Sequence, residues 1–147
     1  MIARTLQSGD ALVLESACRV VGINPGPGAV FLSNNASVAV VAELEGDPVG
    51  LAYGHELRHP DARSTMLLYS VDVAFPHRGN GHGRALVAEF VEEARRRSCA
   101  EVWVLTDPEN MVARATYLSA GGVQDNDQAM FVWVIEAESA RSETQWN

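Results

Sequence analysis

A strand that runs through a glycine-rich turn directly into a helix constrains the fold of this chain most. A β-rich segment ends near Val73, and the sequence Arg-Gly-Asn-Gly-His-Gly follows at positions 78–83. From Gly81 to Arg97 apolar residues recur at helical spacing, with charged residues between them. A strand, a tight turn and a helix in this order predict an α/β domain in which the helix packs back on a sheet.

The same turn predicts a phosphate-binding site. Glycine has no Cβ, so backbone N–H groups can converge there, and a helix N-terminus adds partial positive charge. Arg78 and Arg84 add positive charge nearby. The glycine spacing does not match the dinucleotide-binding motif, because the third glycine comes one residue early. The alternative to phosphate binding is a loop with a purely structural role. We expect this turn to bind a phosphate or pyrophosphate group; its residues are Gly79, Asn80, Gly81, His82, Gly83 and Arg84.

Charge and composition exclude several classes of protein. None of the eleven basic residues is lysine, which excludes a phosphate-loop NTPase or a Schiff-base enzyme. The net charge of −8 argues against a nucleic-acid partner. Cys18 and Cys99 lie far apart without metal-site spacing. Because no apolar run approaches the ~20 residues of a membrane span, we expect no membrane association and a cytoplasmic location.

Periodicity and turn residues predict a single domain over residues 1–137 and a polar tail over 138–147. The sheet is expected to be mixed, with helices on both faces. The predicted strands are Met1–Leu6, Ser37–Leu44, Val49–Leu57, Met66–Val73, Glu101–Thr106 and Ala129–Ile135, the second and third forming a hairpin. Three helices are predicted: the first begins after Ser8–Asp10 and ends near Val21, the second covers Gly81–Arg97 and the third covers Asn110–Ala120. A short helical turn is predicted at Ala29–Leu32.

Two motifs resemble those of the GNAT superfamily of acyl-CoA N-acyltransferases. The first is the signature (R/Q)-x-x-G-x-(G/A) directly after a strand, and the second is N-x-x-A-x-x-x-Y-x-x-x-G on a later helix. The matching residues are Arg78, Gly81 and Gly83, then Asn110, Ala113, Tyr117 and Gly121. The resemblance implies a mixed, mostly antiparallel sheet with helices on both faces and a splayed parallel strand pair that holds acyl-CoA, without a metal.

This resemblance also implies where the cofactor lies. Acetyl-CoA is expected where the strand Met66–Val73 parts from Glu101–Thr106, with pantetheine on the backbone of Val71 and Val73. Asn110 and Tyr117 would lie on the cofactor side. Tyr117 can protonate the leaving CoA thiolate, because a phenol of pKa ~10 can donate to a thiolate of pKa ~8.5. Packing on the core is the alternative role of Tyr117.

The acceptor amine has to lose a proton before it attacks, and carboxylates are the available bases. Asp72 lies on the strand beside the reacting centre, and Asp107 ends the next strand, where ligands of such sheets gather. Glu109 and Glu56 are weaker candidates for binding the amine. A helix N-cap is the alternative role of Asp107, and a solvated strand position is that of Asp72.

Within the superfamily, the chain resembles aminoglycoside 3-N-acetyltransferases at Arg63-Ser64, Tyr69, His77-Arg78 and in the separation of Asp107 from Tyr117. It departs from them at Ser70 and at residues 108–110. The resemblance implies acetyl transfer from acetyl-CoA to a primary amine in a ternary complex, with the 3-N amino group of an aminoglycoside antibiotic as the leading acceptor. Antibiotic resistance would be the corresponding role.

Two alternatives to that function stay open. One is a GNAT enzyme acting on a polyamine, an amino acid or a protein N-terminus, and the other is a noncatalytic acyl-CoA-binding domain. From Glu101 onward eight acidic residues face only Arg114 and Arg141, a balance that suits a polycationic small-molecule amine. Surface solubility explains the same excess.

Two further patterns need an interpretation. His55 to His59 spells the zinc-protease signature HExxH, but the run is β-rich. Residues four apart on a strand are ~13 Å apart, too far to share a zinc ion, so we predict no metal. The last predicted strand, Ala129–Ile135, could supply the edge of a homodimer, although a place in the core is the simpler expectation.

Overall fold

The computed structural model describes residues 1–136. In that range no helix combines the length and the apolar character needed to cross a membrane. In chain order the elements are β1 (Ile2–Thr5), α1 (Ala11–Val20), α2 (Gly28–Ser33), β2 (Ser37–Leu44), β3 (Asp47–Arg58), β4 (Ser64–Val73), α3 (His82–Arg96), β5 (Val102–Val104) and α4 (Met111–Ser119), with a 3₁₀ turn over Phe75–His77.

The five strands form one sheet in the order β1-β2-β3-β4-β5. Neighbouring strands are antiparallel except for the parallel pair β4 and β5. The predicted hairpin is confirmed, and its two-residue turn places Glu45 and Gly46 at φ 53° and 86°. Turns of this kind match the twist of the strands they join. The mixed, mostly antiparallel sheet is therefore confirmed.

Helices cover both faces of the sheet. On one side, the α3 face, Leu86 and Phe90 pack on a core that includes Met66 and Leu68 of β4. On the other side, the α1 face, Leu14 and Ala17 of α1 pack on Ala39, Val41 and Leu51. Because β2 is covered on both faces, its residues from Val38 to Ala42 are all buried.

A β-bulge in β4 changes which side chains face which helix. Tyr53 pairs with Ser70 but Gly54 pairs with Leu68, so β4 carries one extra residue, Tyr69. Leu68 packs on the α3 face before the bulge, and Val71 and Val73 do so after it. Ser70 and Asp72 consequently project toward the α1 face, since they pair with Tyr53 and Leu51 of that side.

The predicted strand Ala129–Ile135 is wrong. Residues 121–136 are exposed throughout, and none of 129–135 belongs to a strand. A β-rich composition forms a strand only when another strand edge accepts its backbone hydrogen bonds, and none in the described range does so. The polar tail at 138–147 lies outside the described residues, and the homodimer edge stays a prediction.

Candidate active site

The parallel pair β4 and β5 separates halfway along β4. Pairing covers only Met66 with Val102 through Leu68 with Val104. β4 continues to Val73, so within the described residues its last half has no strand partner on that side. This confirms the splayed pair, and it opens a gap through the sheet at the backbone of Val71 and Val73.

The glycine turn leads from the end of β4 into α3. Gly79 and Gly81 adopt φ of 78° and 83°, a region that side-chain-bearing residues rarely enter. The Asn80 amide donates to the carbonyls of His77 (3.2 Å) and Arg78 (3.3 Å), which closes the turn. The first N–H groups of α3 have no preceding helical carbonyl, so they are available to an anion.

Arg78 contacts the strand that precedes the turn. Its Nε donates to the Val73 carbonyl at 2.9 Å, and its guanidinium lies 5.6 Å from the centre of the Phe75 ring. The arginine therefore ties the phosphate turn to the last residue of β4. Arg84 is exposed on the first turn of α3.

His82 contributes to this turn through its backbone. Its side chain is buried and lies against Met1 Sδ, with the His77 ring 6.2 Å away. Burial, together with the charges of His77 and the N-terminus, lowers the pKa of His82. The imidazole is therefore neutral at physiological pH, and only its N–H group is suited to a phosphate.

Tyr117 and Asp72 approach the gap from opposite faces of the sheet. Tyr117 is half-buried on α4 and packs on the α3-face core. Burial and then the charge of Asp72 raise the pKa of Tyr117 to about 12. The Ser70 hydroxyl donates to Asp72 at 3.2 Å. The charge of Asp72 therefore reaches Tyr117 although the two residues belong to opposite faces, beside the half of β4 that has no strand partner in the described range.

The loop between β5 and α4 places three predicted residues at the edge of the gap. Asp107 is exposed, and its carboxylate accepts from the Glu109 N–H at 2.8 Å. Asn110 is the N-cap of α4, where its side chain accepts from the Ala113 N–H at 3.1 Å. The suggested N-cap role of Asp107 is thus wrong, because Asn110 performs it.

Glu56 lies away from the other predicted site residues. It pairs in register with Met66, six residues before Asp72 on β4, which corresponds to roughly 20 Å. Although burial alone would raise its pKa, hydrogen bonds from Arg97, Ser64 and Arg58 lower it. The structure does not bring this carboxylate together with Asp72.

The HExxH run lies on β3 except for its last residue. His55 and Glu56 belong to this strand and His59 comes after its end, so the strand predicted for the run is confirmed. No group of three or more metal-ligating side chains occurs among residues 1–136.

Thr106 is a candidate site residue that the sequence did not reveal. Its hydroxyl oxygen is buried and has no hydrogen-bond partner in the described part of the chain. The residue lies two positions beyond the end of β5. Its only sequence signal was its place between Leu105 and Asp107, at the strand end where ligands of such sheets gather.

The chain matches the acetyltransferase (GNAT) family over residues 11–121. That range holds the splayed strands, the glycine turn and Tyr117. The chain belongs to the GNAT acetyltransferase family. It is therefore an acetyl-CoA-dependent N-acetyltransferase, with acyl-CoA as its co-substrate.

Solved structures of GNAT proteins share this fold. An aminoglycoside acetyltransferase from an uncultured soil metagenomic sample is 22% identical, with a TM-score of 0.78 over 91% of this chain and 98% of that chain. The aminoglycoside N-acetyltransferase AAC(6')-Iy in complex with CoA is 16% identical, with a TM-score of 0.73 over 91% and 99%. The ribosomal-protein-alanine N-acetyltransferase of Brucella melitensis biovar Abortus 2308 is 20% identical, with a TM-score of 0.70 over 92% and 100%. No curated protein gives a significant match.

Replacing Gly81 by alanine tests the glycine turn of this GNAT enzyme. A side chain at φ 83° costs about 1–2 kcal/mol, and relief of that strain would rotate the N–H groups that face the phosphate. We expect the KM for acetyl-CoA to rise about 5- to 30-fold, and kcat to change less. The measurement is steady-state kinetics with acetyl-CoA varied.

Gly46→Ala is the matched control for that substitution. Gly46 has φ 86°, and a Cβ at either glycine would meet nothing within 4 Å, but Gly46 lies in the β2–β3 turn. Both variants should lose similar stability, and only Gly81→Ala should lose affinity for acetyl-CoA. Equal KM values in the two variants would remove the turn from the phosphate site.

Proposed function

We propose that this GNAT enzyme acetylates a primary amino group of an aminoglycoside, by direct attack of the amine on acetyl-CoA in a ternary complex. The observation that carries the proposal is the half of β4 beyond its pairing with β5, where the charge of Asp72 acts on Tyr117. Acetyl-CoA, when bound, supplies a thioester carbonyl that the amine attacks and a thiolate that leaves.

The residues around the gap fit acyl-CoA. The N–H groups of Gly79 to Arg84 bind the pyrophosphate, and the backbone of Val71 and Val73 pairs with the amides of pantetheine. The Val73 N–H also polarises the thioester carbonyl. The buried hydroxyl of Thr106, without a partner in the described range, supplies one more hydrogen-bonding group at the gap. Asn110 supports this side indirectly, because it caps the helix that carries Tyr117.

Asp72 is the base that we assign to the amine. An alkylammonium group has a pKa of ~10.4, so a base has to hold the amine neutral at the moment of attack. Asp72 projects to the α1 face, opposite the α3 and α4 side that holds the cofactor turn. The amine therefore enters from the α1 face. Asp107 is the second candidate base, and Glu109 lies beside it on the same loop.

Tyr117 holds a proton on the cofactor side of the gap. With a pKa of about 12 it stays protonated until negative charge develops next to it. It then donates a hydrogen bond, and finally the proton, to the leaving sulfur.

Two observations support an aminoglycoside as the acceptor. Exposed carboxylates follow β5, at Asp107, Glu109, Asp125 and Asp127, and they favour the approach of a polycation. Several structures of similar fold are aminoglycoside acetyltransferases. The resemblance at Tyr69 and His77-Arg78 makes the 3-N amino group the position to test first, and the 6'-N group is the alternative.

Release of CoA thiol from acetyl-CoA with a panel of amines tests this function. The panel holds sisomicin, which is bound to a soil aminoglycoside acetyltransferase of similar fold, together with spermidine, an amino acid and an alanine-ended peptide. We expect the highest kcat/KM with sisomicin, and NMR of the product gives the acetylated position. Turnover with the other amines alone would contradict an aminoglycoside acceptor. CoA binding without any turnover would favour the noncatalytic domain.

A further inference from the structure

Three aromatic side chains form a continuous surface on the α1 face beside the gap. Phe31 of α2 and Tyr53 of β3 have ring centres 6.1 Å apart and perpendicular planes. Tyr53 and Tyr69 of β4 have ring centres 5.6 Å apart, with planes inclined by 30°. We call Phe31, Tyr53 and Tyr69 the aromatic wall. Its rings come from three elements, so only the folded chain assembles it.

The aromatic wall is only partly covered by the helices. All three side chains are half-buried. The helices of this face pack mainly on β2 and β3, whereas Tyr69 belongs to β4, next to the gap. Tyr69 faces the α1 side because it follows Leu68, which packs on the α3 face, and its ring lies next to Tyr53. The wall therefore borders the side from which we expect the amine to enter.

The electrostatic environment of the wall favours a cation. Asp72 lies on the same face, three residues beyond Tyr69. Burial raises the pKa of Tyr53 most, and Tyr69 and Asp72 raise it further. The phenol is therefore neutral at physiological pH, and its ring lies in the negative potential of Asp72. Aromatic faces attract ammonium groups within about 6 Å of the ring centre, most strongly where water is partly excluded.

We propose that the aromatic wall and Asp72 together form the acceptor subsite, and that this subsite selects amines carried on a ring that bears a second ammonium group. Asp72 takes the reacting amino group, while Tyr53 and Tyr69 hold the ring and its second ammonium group. The inference rests on the proposed acetyl transfer, and it names the substrate class as cyclic polyamines rather than linear ones. A rigid ring loses less conformational entropy than a chain such as spermidine when it packs on a flat surface.

Substituting Tyr69 and Tyr53 by leucine and by phenylalanine distinguishes the role of the aromatic ring from that of the hydroxyl group. We expect Tyr69→Leu and Tyr53→Leu each to raise the KM for sisomicin about tenfold, because a stacked cation is lost. The KM for acetyl-CoA and the kcat should stay within about twofold of wild type. Tyr69→Phe and Tyr53→Phe retain the ring and should restore the KM for sisomicin, which a purely structural role of the hydroxyl would not allow.

His59→Leu is the control for loss of a ring elsewhere. His59 is exposed beyond the end of β3, outside the site, and its variant should keep both KM values. Thermal unfolding of each variant shows whether it is folded. Tyr53 packs on the α1-face core, so Tyr53→Leu could unfold. In that case the proposal is tested with Tyr69→Leu.

The possible failures of the two proposals differ. Wild-type turnover with an unchanged KM for sisomicin in the leucine variants would overturn the aromatic wall and leave the acetyl transfer intact. A higher kcat/KM with spermidine than with sisomicin would overturn the preference for cyclic amines. No release of CoA thiol by the wild type with any amine would overturn the proposed function, and the subsite with it.

Discussion

Gly54→Ala is expected to lower the free energy of unfolding by about 3 kcal/mol, at the upper end of what overpacking a core costs. A Cβ at Gly54 would lie 1.9 Å from the Leu67 carbonyl oxygen and 2.9 Å from Phe90 Cζ. The first atom is backbone of β4, and the second belongs to a fully buried ring of α3. The Leu67 carbonyl cannot move without shifting the backbone next to the bulge that orients Asp72. Thermal unfolding should show a midpoint lower by about 6–12 °C.

Gly9→Ala is the control for this substitution. A Cβ at Gly9 would meet nothing within 4 Å, and its φ lies outside the left-handed region. Its unfolding midpoint should stay within about 2 °C of wild type. Because the bulge sets the phase of β4, any folded Gly54→Ala protein should also turn over more slowly. Equal midpoints for the two variants would mean that the sheet absorbs the extra methyl group.

Tyr117→Phe is expected to lower kcat about 100-fold, the usual contribution of a positioned proton donor. The ring keeps its place in the α3-face core, so the KM for acetyl-CoA should change less than about threefold. Steady-state kinetics with both substrates varied gives the two constants separately. An unchanged kcat would remove the Tyr117 hydroxyl from the mechanism.

The pH dependence of kcat offers a second readout of Tyr117. A pKa raised to about 12 means that the proton-donating form is complete below that pH and is lost only as the pH rises through it. Wild-type kcat should therefore show no descending limb due to this residue below a pH of about 11. A limb near pH 8–9 that vanishes in Tyr117→Phe would show that bound substrates lower this pKa.

Local features of the fold could be read from the sequence because they depend on neighbouring residues. Strand β2 has the predicted bounds Ser37–Leu44, and α3 differs from the prediction by one residue at each end. The turn before α3 needs glycine at the positive φ of Gly79 and Gly81, which the sequence signals directly. Periodicity and turn chemistry act over a few residues, and they determined these elements and the family motifs.

Contacts between distant residues could not be read in this way. Nothing near Glu56 shows that Arg97, which follows α3, reaches it. The β-rich segment Ala129–Ile135 has the composition of a strand, but pairing depends on a partner edge elsewhere in the chain.

The sequence by itself determined the order of strands and helices through α4, the glycine turn and the residue types available for acid and base chemistry. The tertiary structure decided that Asp72 and Tyr117 act on each other across the open strand pair, and that Tyr69 joins Tyr53. The reason is the register of β3 and β4, where one extra residue, Tyr69, turns the side chains from Ser70 onward to the opposite face. That register is set by packing across the whole sheet, which no stretch of sequence contains.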